Sequence, residues 1–432
     1  MATTIINARV FDGFGSRDYS SVRFAGGLIT DCSAVSAARP ADDVVDAHGG
    51  TLFPGLIDSH VHLAPGALAQ SLTFGVTTVL DMFSTPDLVA EARLQAVGRT
   101  DVADVRSSGV GATAPGGHPS AMYPPFPTVE SGDDATRFVA HRAAEGSDYL
   151  KIVSGVGGLW PSLDAETVEA LVAAAHARGL LVVAHVGSVA GLEEVVTAGA
   201  DVVAHIPVDA VLSDALVHRI AAAGIAVCPT LATAENTLGG NGGAAVLGDQ
   251  RLAVWLGEWA RRSAAAAAHE GGRGLPPFSR AEHNVRLLSD AGVTLLAGTD
   301  APNPGTAFGA SLHRELELLV ASGLGPERAL AAATGVPAHV FGLADRVRVA
   351  VGLRADLVLV AGDPLSDITS TRAIERVWRG GTPVDRRPFV ASPREAEELD
   401  AFDARIAAVV ARVRARGVRR SARTNDRHER SS

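Results

Sequence analysis

Several short apolar segments of this chain end on a side chain that can bind a metal ion. The first is Asp58-Ser59-His60-Val61-His62, where two histidines lie two positions apart. In a strand, residues two apart point to the same side, so His60 and His62 can face one ion. Four further apolar segments end on Lys151, His185, His205 and Asp300. A lone histidine at a strand edge is more often structural than a metal ligand. Chance, however, poorly explains why several separate strands each end on a residue that can bind a metal. The pattern therefore predicts a metal site.

Lys151 is distinctive because it is the only lysine in the chain, and the other 37 of the 38 basic residues are arginine. Arginine replaces lysine readily wherever a solvated positive charge is enough. A guanidinium, however, stays protonated and cannot act as a nucleophilic amine. The alternative explanation is that Lys151 is an ordinary surface lysine that has been retained by chance. The position of Lys151 at the end of a strand favours a site that needs an amine.

The elements that must position these side chains alternate in type along the middle of the chain. From Leu52 onward, apolar strands are separated by helices, an alternation that predicts a parallel sheet with crossover helices. Eight strands are predicted, at Leu52–Asp58, Thr77–Asp81, Val102–Gly109, Tyr149–Ser154, Leu181–Val186, Asp201–Ile206, Ile225–Thr230 and Val293–Thr299. Typical helices are Ala165–Arg178, before Gly179, and Glu193–Ala198, before Gly199. We therefore expect a (β/α)₈ TIM barrel, in which active sites lie at the C-terminal ends of the strands.

Both chain ends carry strand patterns without intervening helices. Strands are predicted at Thr4–Val10, Ser21–Phe24 and Leu28–Cys32, and again at Val349–Val351, Asp356–Val360 and Arg376–Arg379, with a tight turn at Gly380-Gly381. We expect these segments to meet in a small β-sandwich domain formed from residues 1–50 plus 345–395. The metal-dependent barrel would then comprise residues 51–344.

Two other regions have distinct compositions. Asn236–Phe278 is rich in Gly and Ala, with a helical stretch predicted over Gln250–Glu270, and we expect an insertion at the mouth or rim of the barrel. Residues 396–432 are predicted to form a C-terminal helix and then a disordered tail, because eight arginines and few apolar residues follow Ala411. A nucleic-acid-binding tail is the alternative, and the acidic remainder of the chain argues against it.

Composition and charge exclude several classes of protein. The chain has 432 residues, 47% of them hydrophobic, and a net charge of -10, which suits a large α/β core and argues against a nucleic-acid partner. Cys32 and Cys228 form no Cys-x-x-Cys pattern, so neither a disulfide framework nor a thiolate metal site is expected. The sequence shows no signal peptide and no membrane-spanning stretch. We expect a cytoplasmic homo-oligomer with a small-molecule substrate and no membrane partner.

Longer motifs surround the predicted ligands. They are Pro54-Gly55-Leu56-Ile57-Asp58-Ser59-His60-Val61-His62, Gly75-Val76-Thr77-Thr78, Leu150-Lys151-Ile152, Ala184-His185, Ala204-His205, Gly298-Thr299-Asp300 and the segments 311–318 and 355–360. With these motifs the sequence resembles the amidohydrolase superfamily over almost its entire length. Within that superfamily it is similar to the imidazolonepropionase-like and Xaa-Pro dipeptidase-like branch, for which the motifs are less specific.

This resemblance implies a centre with two divalent metal ions. In binuclear members, the lysine that matches Lys151 reacts with CO₂, and the carboxylated lysine bridges both ions, which stabilise its negative charge. By the same resemblance, one ion is held by His60, His62, Asp300 and the carbamate, and the other by His185, His205 and the carbamate. Imidazole and carboxylate ligands without thiolate favour Zn²⁺, with Mn²⁺, Co²⁺ or Fe²⁺ as alternatives.

The resemblance also implies a reaction. A hydroxide that bridges the two metals attacks the carbonyl carbon of the substrate, because bound metals lower the pKa of water to about 7. The ion on His185 and His205 polarises the carbonyl oxygen. Asp300 is the catalytic residue, which takes the proton of the hydroxide and passes it to the leaving nitrogen.

Three residues are candidates for substrate binding. His118 follows two glycines in the loop after the third predicted strand, and dipeptidase-like members have a related Gly-Gly-His, although a loop histidine in water is the alternative. Tyr123 lies in the rigid, aromatic segment Met122–Pro127, which departs from the commoner family pattern and weakens any transfer of dipeptidase specificity. Thr230 ends the seventh predicted strand. His313, in a helix after the eighth strand, is interpreted as structural.

Together these inferences predict a binuclear metal-dependent hydrolase that cleaves a C–N amide bond outside standard peptide chains. The expected substrate is dipeptide-like, an N-acyl amino acid or a cyclic amide. Alternatives on the same site are hydrolysis of an ester, lactone or carbamate, or a metal-dependent isomerisation or decarboxylation. A non-catalytic barrel subunit is a further alternative, since fold alone does not settle function. Such a subunit is expected to have lost ligands, and all six are present.

Overall fold

The computed structural model describes residues 2–35, 38–123, 125–155, 160–266 and 275–429, without the side chains of Ala121 and of residues 412–429. The strands are β1 Thr3–Ile6, β2 Arg9–Phe11, β3 Ser16–Arg17, β4 Ser21–Ala25, β5 Leu28–Ser33, β6 Asp43–Asp46, β7 Thr51–Pro54, β8 Leu56–Val61, β9 Val76–Asp81, β10 Asp104–Ser107, β11 Leu150–Val153, β12 Val182–His185, β13 Val202–Ala204, β14 Ala226–Cys228, β15 Leu357–Val360, β16 Ile374–Arg379 and β17 Thr382–Pro383. The α-helices are α1 Ala67–Thr73, α2 Pro86–Ala96, α3 Gly132–Ala144, α4 Ala165–His176, α5 Val189–Ala198, α6 Asp214–Ala222, α7 Leu231–Thr237, α8 Gly242–Gly248, α9 Gln250–Ala253, α10 Glu258–Ala265, α11 Phe278–Asp290, α12 Ala310–Ala321, α13 Pro326–Ala331, α14 Gly335–Val340 and α15 Pro393–Glu429.

The middle of the chain is a mixed α/β structure with parallel strands. These strands form two sheets, in the orders β8-β9-β10 and β11-β12-β13-β14. An isolated parallel bridge between Ala112 and Ile152 connects the two sheets. Helices follow most of the strands, and the apolar side chains between strands and helices form the largest buried core. The parallel arrangement agrees with the alternation in the sequence, because parallel strands need crossover helices.

The first predicted strand, Leu52–Asp58, is wrong in its extent because two strands occupy it. β7 pairs with β2 and β15, strands from the two chain ends, whereas β8 pairs with β9. The break lies at Gly55, where an added Cβ would stand only 2.1 Å from the hydroxyl oxygen of Thr77. A residue with a side chain does not fit there, and the chain uses this glycine to pass from one sheet to another.

The eighth predicted strand, Val293–Thr299, is not a regular strand. Leu295 makes an isolated parallel bridge to Val227, beside β14, and Ala301 makes another to Val61 of β8. The backbone of this segment also accepts a hydrogen bond of 2.9 Å from the Ser59 N–H. The segment after Val293 thus lies between the last and the first parallel strands, although its own pairing is too irregular for a ladder.

Other boundaries differ from the prediction to a smaller extent. Val349–Val351 is not a strand, because its backbone bonds to a turn, with the Val349 N–H donating to the Asp12 carbonyl at 2.8 Å. The helical stretch predicted over Gln250–Glu270 is divided into α9 and α10, and residues 267–270 lie outside the described residues. The predicted end of α5 is confirmed, since Gly199 caps it with a φ of 84°.

Strands from both chain ends form two further sheets, in the orders β5-β4-β1-β6 and β17-β16-β15-β7-β2-β3. Apolar side chains of both sheets pack in one core, which includes Ile5, Phe24, Leu52 and Trp378. The rings of Phe24 and Trp378 meet edge to face with their centroids 5.7 Å apart. Strands from the two ends of the chain therefore share one apolar core.

Helix α15 returns from the β-sheets at the chain ends to the middle of the chain. Leu399 of this helix is 1% exposed. The Asp403 carboxylate accepts a hydrogen bond from the indole N–H of Trp259, at 3.1 Å to the nearer oxygen. Asp400 pairs with Arg262 at 2.6 Å. These contacts attach α15 to α10. Its backbone remains helical to Glu429, the last residue that the structure describes, and no helix in the described ranges is long and apolar enough to cross a membrane.

Candidate metal centre

The six side chains predicted as metal ligands line one cavity of about 390 Å³. They are His60, His62, Lys151, His185, His205 and Asp300. Four of them, His60, His62, His185 and His205, lie at or directly after the carboxyl ends of parallel strands. Lys151 is instead the second residue of β11, and Asp300 follows the irregular eighth segment. The carboxyl ends of neighbouring parallel strands meet on one side of a sheet, so the fold brings together side chains that are far apart in sequence.

The Asp300 carboxylate lies among three of the histidines. Its Oδ1 atom is 3.0 Å from Nε2 of His62 and 3.4 Å from Nε2 of His60. Its Oδ2 atom is 4.0 Å from Nδ1 of His205. Potential ligand atoms of His60, His205 and Asp300 all lie within 4.8 Å of one another, and the His185 ring centroid is 4.3 Å from that of His205. Groups so close together can share metal ions.

The backbone is strained at two of the predicted ligands and at one neighbouring residue. His205, Thr230 and Asp300 have φ values of 74°, 51° and 57°, in the left-handed region that favours glycine. Each follows a parallel strand or the irregular eighth segment. The His205 N–H donates to the Cys228 carbonyl at 2.8 Å, and the Asp300 N–H donates to the His60 carbonyl at 2.7 Å. Strain of this kind persists where the surroundings hold it, and it concentrates at functional sites.

Lys151 is buried in the wall of this cavity. The residue is 2% exposed, and its Nζ atom has no hydrogen-bond partner among the described residues. Burial lowers the pKa of the Lys151 amine to about 8. A buried ammonium without a partner is costly. A carboxylated amine, by contrast, would place two oxygens in a ring of histidines, so the lysine fits the role of a ligand shared by two metal ions.

The histidines around Lys151 are held in the form that binds metals. Burial lowers the pKa of His60 and of His185 well below the usual value, and it lowers the pKa of His205 to about 3. His118 behaves similarly, with burial lowering its pKa to about 4. These four imidazoles are therefore neutral at pH 7. A neutral imidazole nitrogen is the ligand that divalent ions use.

His62 and Asp300 form a charged pair instead. Burial alone would lower the pKa of His62, but the hydrogen bond to Asp300 and its negative charge raise it above the usual value. Burial alone would raise the pKa of Asp300, but the hydrogen bond from His62 and the positive charges nearby lower it. Asp300 is thus an ionised carboxylate at neutral pH, as both a metal ligand and a proton acceptor must be.

Two of the residues predicted to bind substrate contact the imidazole rings of predicted metal ligands. Oγ1 of Thr230 lies 2.8 Å from Nδ1 of His205, and Thr230 is not among the residues that line the cavity. The hydroxyl of Tyr123 donates to the Phe83 carbonyl at 3.0 Å and lies 3.4 Å from Nδ1 of His62. Tyr123 also lines the cavity. Partners on the second nitrogen of a histidine fix its ring orientation, so both residues can position ligands.

Asp58 is a supporting residue that the sequence reasoning did not single out. Its carboxylate accepts hydrogen bonds from the Thr299 N–H at 3.0 Å, from the Thr299 hydroxyl at 2.8 Å and from the His60 N–H at 3.2 Å. Burial raises the pKa of Asp58 to about 7, and these hydrogen bonds oppose the rise. Asp58 thereby connects the segment that carries His60 to the segment that carries Asp300. The sequence signal for this role was an acidic residue at the end of an apolar run, two residues before His60.

The outer part of the cavity contains residues from a distant part of the chain. His118 lines it, with its ring centroid 5.4 Å from that of His185. The predicted substrate contacts His118 and Tyr123 therefore reach the cavity. Helix α15 adds Phe402, Arg405, Ile406, Val409 and Val410. We did not predict these residues as part of the site, although their apolar members recur at helical spacing, the signature of one buried helix face.

The chain matches the amidohydrolase family over residues 51–384. The chain belongs to this family. The amidohydrolase superfamily was the family that the ligand motifs indicated, so that prediction is confirmed. As a family member the chain is a hydrolase of the amidohydrolase type, and the match spans every predicted ligand from His60 to Asp300.

Several proteins are similar to this amidohydrolase. An uncharacterized protein of Mycobacterium tuberculosis is 29% identical over 346 residues, which cover 75% of this chain and 82% of that protein. An imidazolonepropionase of Deinococcus deserti is 39% identical over 103 residues, or 23% of this chain and 26% of that enzyme. A crystal structure of a Xaa-Pro dipeptidase with bound methionine superposes with a TM-score of 0.70 at 20% identity, covering 89% of this chain and 99% of the dipeptidase.

Proposed function

We propose that this amidohydrolase is a binuclear metal-dependent enzyme that hydrolyses a C–N amide bond of a small molecule. The observation that carries the proposal is the convergence of four histidines, one aspartate and a buried, unpartnered lysine in one cavity. We propose a (β/α)₈ barrel of residues 51–344, a small β-sandwich domain of residues 1–50 plus 345–395, and a C-terminal segment of 396–432. Bridges from Leu295 to Val227 and from Ala301 to Val61 support the closure of such a barrel.

The donor set of the cavity fits two divalent ions. His60, His62 and Asp300 would hold one ion, and His185 with His205 the other, with carboxylated Lys151 as the shared ligand. These donors are nitrogen and oxygen, and Cys228 is not among the residues that line the cavity. Imidazole with carboxylate suits Zn²⁺ best among the common ions. When bound, such ions supply Lewis acidity and lower the pKa of water to about 7.

Asp300 is the residue proposed to move protons. It is ionised and buried beside three histidines, so it can accept a proton from the attacking water and pass it to the leaving nitrogen. The ion pair with His62 holds its carboxylate, and the backbone hydrogen bond to His60 holds its main chain. Thr230 keeps the ring of His205 oriented. Preorganised groups of this kind need no rearrangement at the moment of reaction.

The substrate proposed here contains an amide with a compact apolar part. Apolar and aromatic side chains line the cavity beside the proposed polar ligands, among them Phe83, Met122 and Phe402. The structurally similar Xaa-Pro dipeptidase is named for dipeptide substrates, which supports a dipeptide-like compound. An N-acyl amino acid or a cyclic amide contains the same kind of C–N bond and belongs to the same proposal. An ester, lactone or carbamate would reach the same ligands and is the second candidate substrate. The experiment below distinguishes it from an amide.

The test compares amide and ester hydrolysis in metal-loaded and metal-stripped protein. Protein purified with Zn²⁺ is assayed with N-benzoyl amino acids, Xaa-Pro dipeptides, lactams and aryl esters, then again after dialysis against a chelator. We expect at least one amide to be hydrolysed, activity to disappear with the metal, and readdition of Zn²⁺ to restore it. Hydrolysis of esters alone would favour the second candidate. Amide hydrolysis that survives complete metal removal would contradict the proposal.

A further inference from the structure

Helix α15 contributes a mostly apolar wall to the cavity. Phe402, Ile406, Val409 and Val410 lie on the face that lines it. Val409 is buried, whereas a solvent-facing helix would expose such a side chain. Other parts of the chain add apolar side chains to the same cavity, among them Leu63, Phe83, Leu88 and Met122. A substrate between these walls would replace water against apolar surface.

This wall is attached at a defined position. The Asp403 carboxylate is held by the Trp259 indole, and the Trp259 ring also meets Phe402 edge to face, with the centroids 6.4 Å apart. The ion pair between Arg262 and Asp400 lies one turn earlier. Because the contacts lie on the same helical segment as the lining residues, α10 fixes where the lining side chains stand. The C-terminal helix is thus part of the cavity and not a loose appendage to it.

Arg405 is the only cationic residue that α15 brings to this wall among the described side chains. Its guanidinium carbon lies 5.9 Å from the centroid of the Phe402 ring. Within the described part of the chain, its side chain has neither an ion pair nor a hydrogen bond. Its helical neighbours offer no carboxylate either, since the residues three and four positions away are Ala401, Phe402, Ala408 and Val409. The exposed guanidinium of Arg405 therefore lies beside the apolar side chains of α15 without an ion-pair partner among the described residues.

Arg394, the other arginine of α15 whose side chain the structure describes, behaves differently. Arg394 pairs with Glu398 one turn away, with 2.8 Å between Nε and Oε1. Arg394 does not line the cavity of the metal ligands. An arginine that stabilises the helix has an acidic residue within reach, whereas the position of Arg405 suits an anion from outside the chain. Guanidinium groups bind carboxylates through charge-assisted hydrogen bonds.

We infer that Arg405 is a substrate-binding residue, and that the substrate of this amidohydrolase has a carboxylate on its apolar body, separate from the scissile amide. The inference rests on the proposed function for the identity of the scissile bond. The apolar wall of α15 would hold the body of the substrate while Arg405 binds its carboxylate. N-acyl amino acids with an aromatic or branched apolar group have this chemistry. Neutral cyclic amides do not.

A pair of amides tests the role of Arg405 in catalysis. N-benzoyl-L-alanine carries a carboxylate, and N-benzoyl-L-alaninol has a neutral hydroxymethyl group in its place. In the zinc-loaded enzyme we expect kcat/KM to favour the anionic amide, and Arg405→Gln to reduce that preference roughly fivefold, mainly through KM. Arg405→Lys should keep part of the preference. Arg394→Gln, the matched control on the same helix, should keep all of it.

A binding measurement separates this inference from the proposed function. The dissociation constants of 4-phenylbutyrate and of neutral 4-phenylbutanol are measured by calorimetry in metal-free and zinc-loaded protein. We expect Arg405→Gln to weaken binding of the anion roughly fivefold in both forms, and to leave the alcohol unchanged. If no amide is hydrolysed, the proposed function fails, but the calorimetric measurement still decides whether Arg405 binds a carboxylate. If Arg405→Gln binds 4-phenylbutyrate as tightly as the unaltered protein, the inference is wrong even where amides are hydrolysed.

Discussion

Nε2 of His62 lies 3.0 Å from Oδ1 of Asp300, and main-chain hydrogen bonds hold the two residues in this relationship. The His62 N–H donates to the Ala301 carbonyl at 2.8 Å, and the Asp300 N–H donates to the His60 carbonyl at 2.7 Å. The first parallel strand and the irregular eighth segment are therefore joined beside the ligands. A backbone that fixes these two side chains preorganises the candidate site.

Replacement of Asp300 tests its role in proton transfer. Asp300→Asn keeps the size of the side chain but removes the ability to accept a proton, so we expect kcat to fall at least about 100-fold. The circular dichroism spectrum should stay unchanged. In the unaltered enzyme, activity should rise with pH as the carboxylate and the attacking water ionise. A variant that retained most of the original kcat would show that another group moves the proton.

Substitution of Thr230 distinguishes two roles of this residue, positioning the ring of His205 and contacting the substrate. Thr230→Val removes the hydroxyl that lies 2.8 Å from Nδ1 of His205, so metal affinity should fall roughly 10- to 100-fold. Competition with a chelating dye measures this affinity. Thr230→Ser, which keeps the hydroxyl, should restore most of it. An increase in KM with unchanged metal affinity would instead support the direct substrate contact that we predicted from the sequence.

His313, which lies outside the metal centre, should make the stability of the folded protein depend on pH. Its Nε2 donates to the Phe74 carbonyl at 3.0 Å, and burial lowers its pKa to about 3. Below pH 6.5 the unfolded chain binds a proton that the folded protein does not. Stability present above pH 6.5 is therefore lost as the pH falls towards 3, by at most about 1.4 kcal/mol per pH unit for this group.

Unfolding of metal-free protein between pH 7 and pH 5 measures this loss. Buried histidines of the metal centre act in the same direction, so the comparison is with His313→Asn, in which the slope of the unfolding free energy against pH should decrease. An equal slope in both proteins would mean that His313 is not held neutral by burial.

The sequence predicted which six side chains meet in one cavity, because most of them lie at the end of an apolar segment. It predicted the strand boundaries less well where distant segments decide them. The break at Gly55 depends on Thr77 packing against the backbone, and the irregular course after Val293 depends on β8. The contribution of α15 to the cavity was missed because it depends on contacts such as Trp259 with Asp403, which no local pattern shows.

Substitution of Lys151 tests whether the site needs a ligand or a charge. Lys151→Ala should lose at least one metal ion and nearly all activity, and Lys151→Arg should do no better although it keeps the positive charge. Acetate or propionate should partly restore activity in the alanine variant, because a small carboxylate can occupy the space of the missing group. Full activity of Lys151→Arg would contradict a bridging carbamate.

The central claim is that two metal ions act together in this cavity, and the number of ions needed for activity tests it most directly. Metal-free protein is titrated with Zn²⁺ in the presence of bicarbonate, while bound metal is measured by mass spectrometry and amide hydrolysis is followed in parallel. We predict that activity reaches its maximum only as the second equivalent binds, and that the fully active protein holds close to two ions per chain. Full activity with one ion, or with none, would contradict the binuclear account.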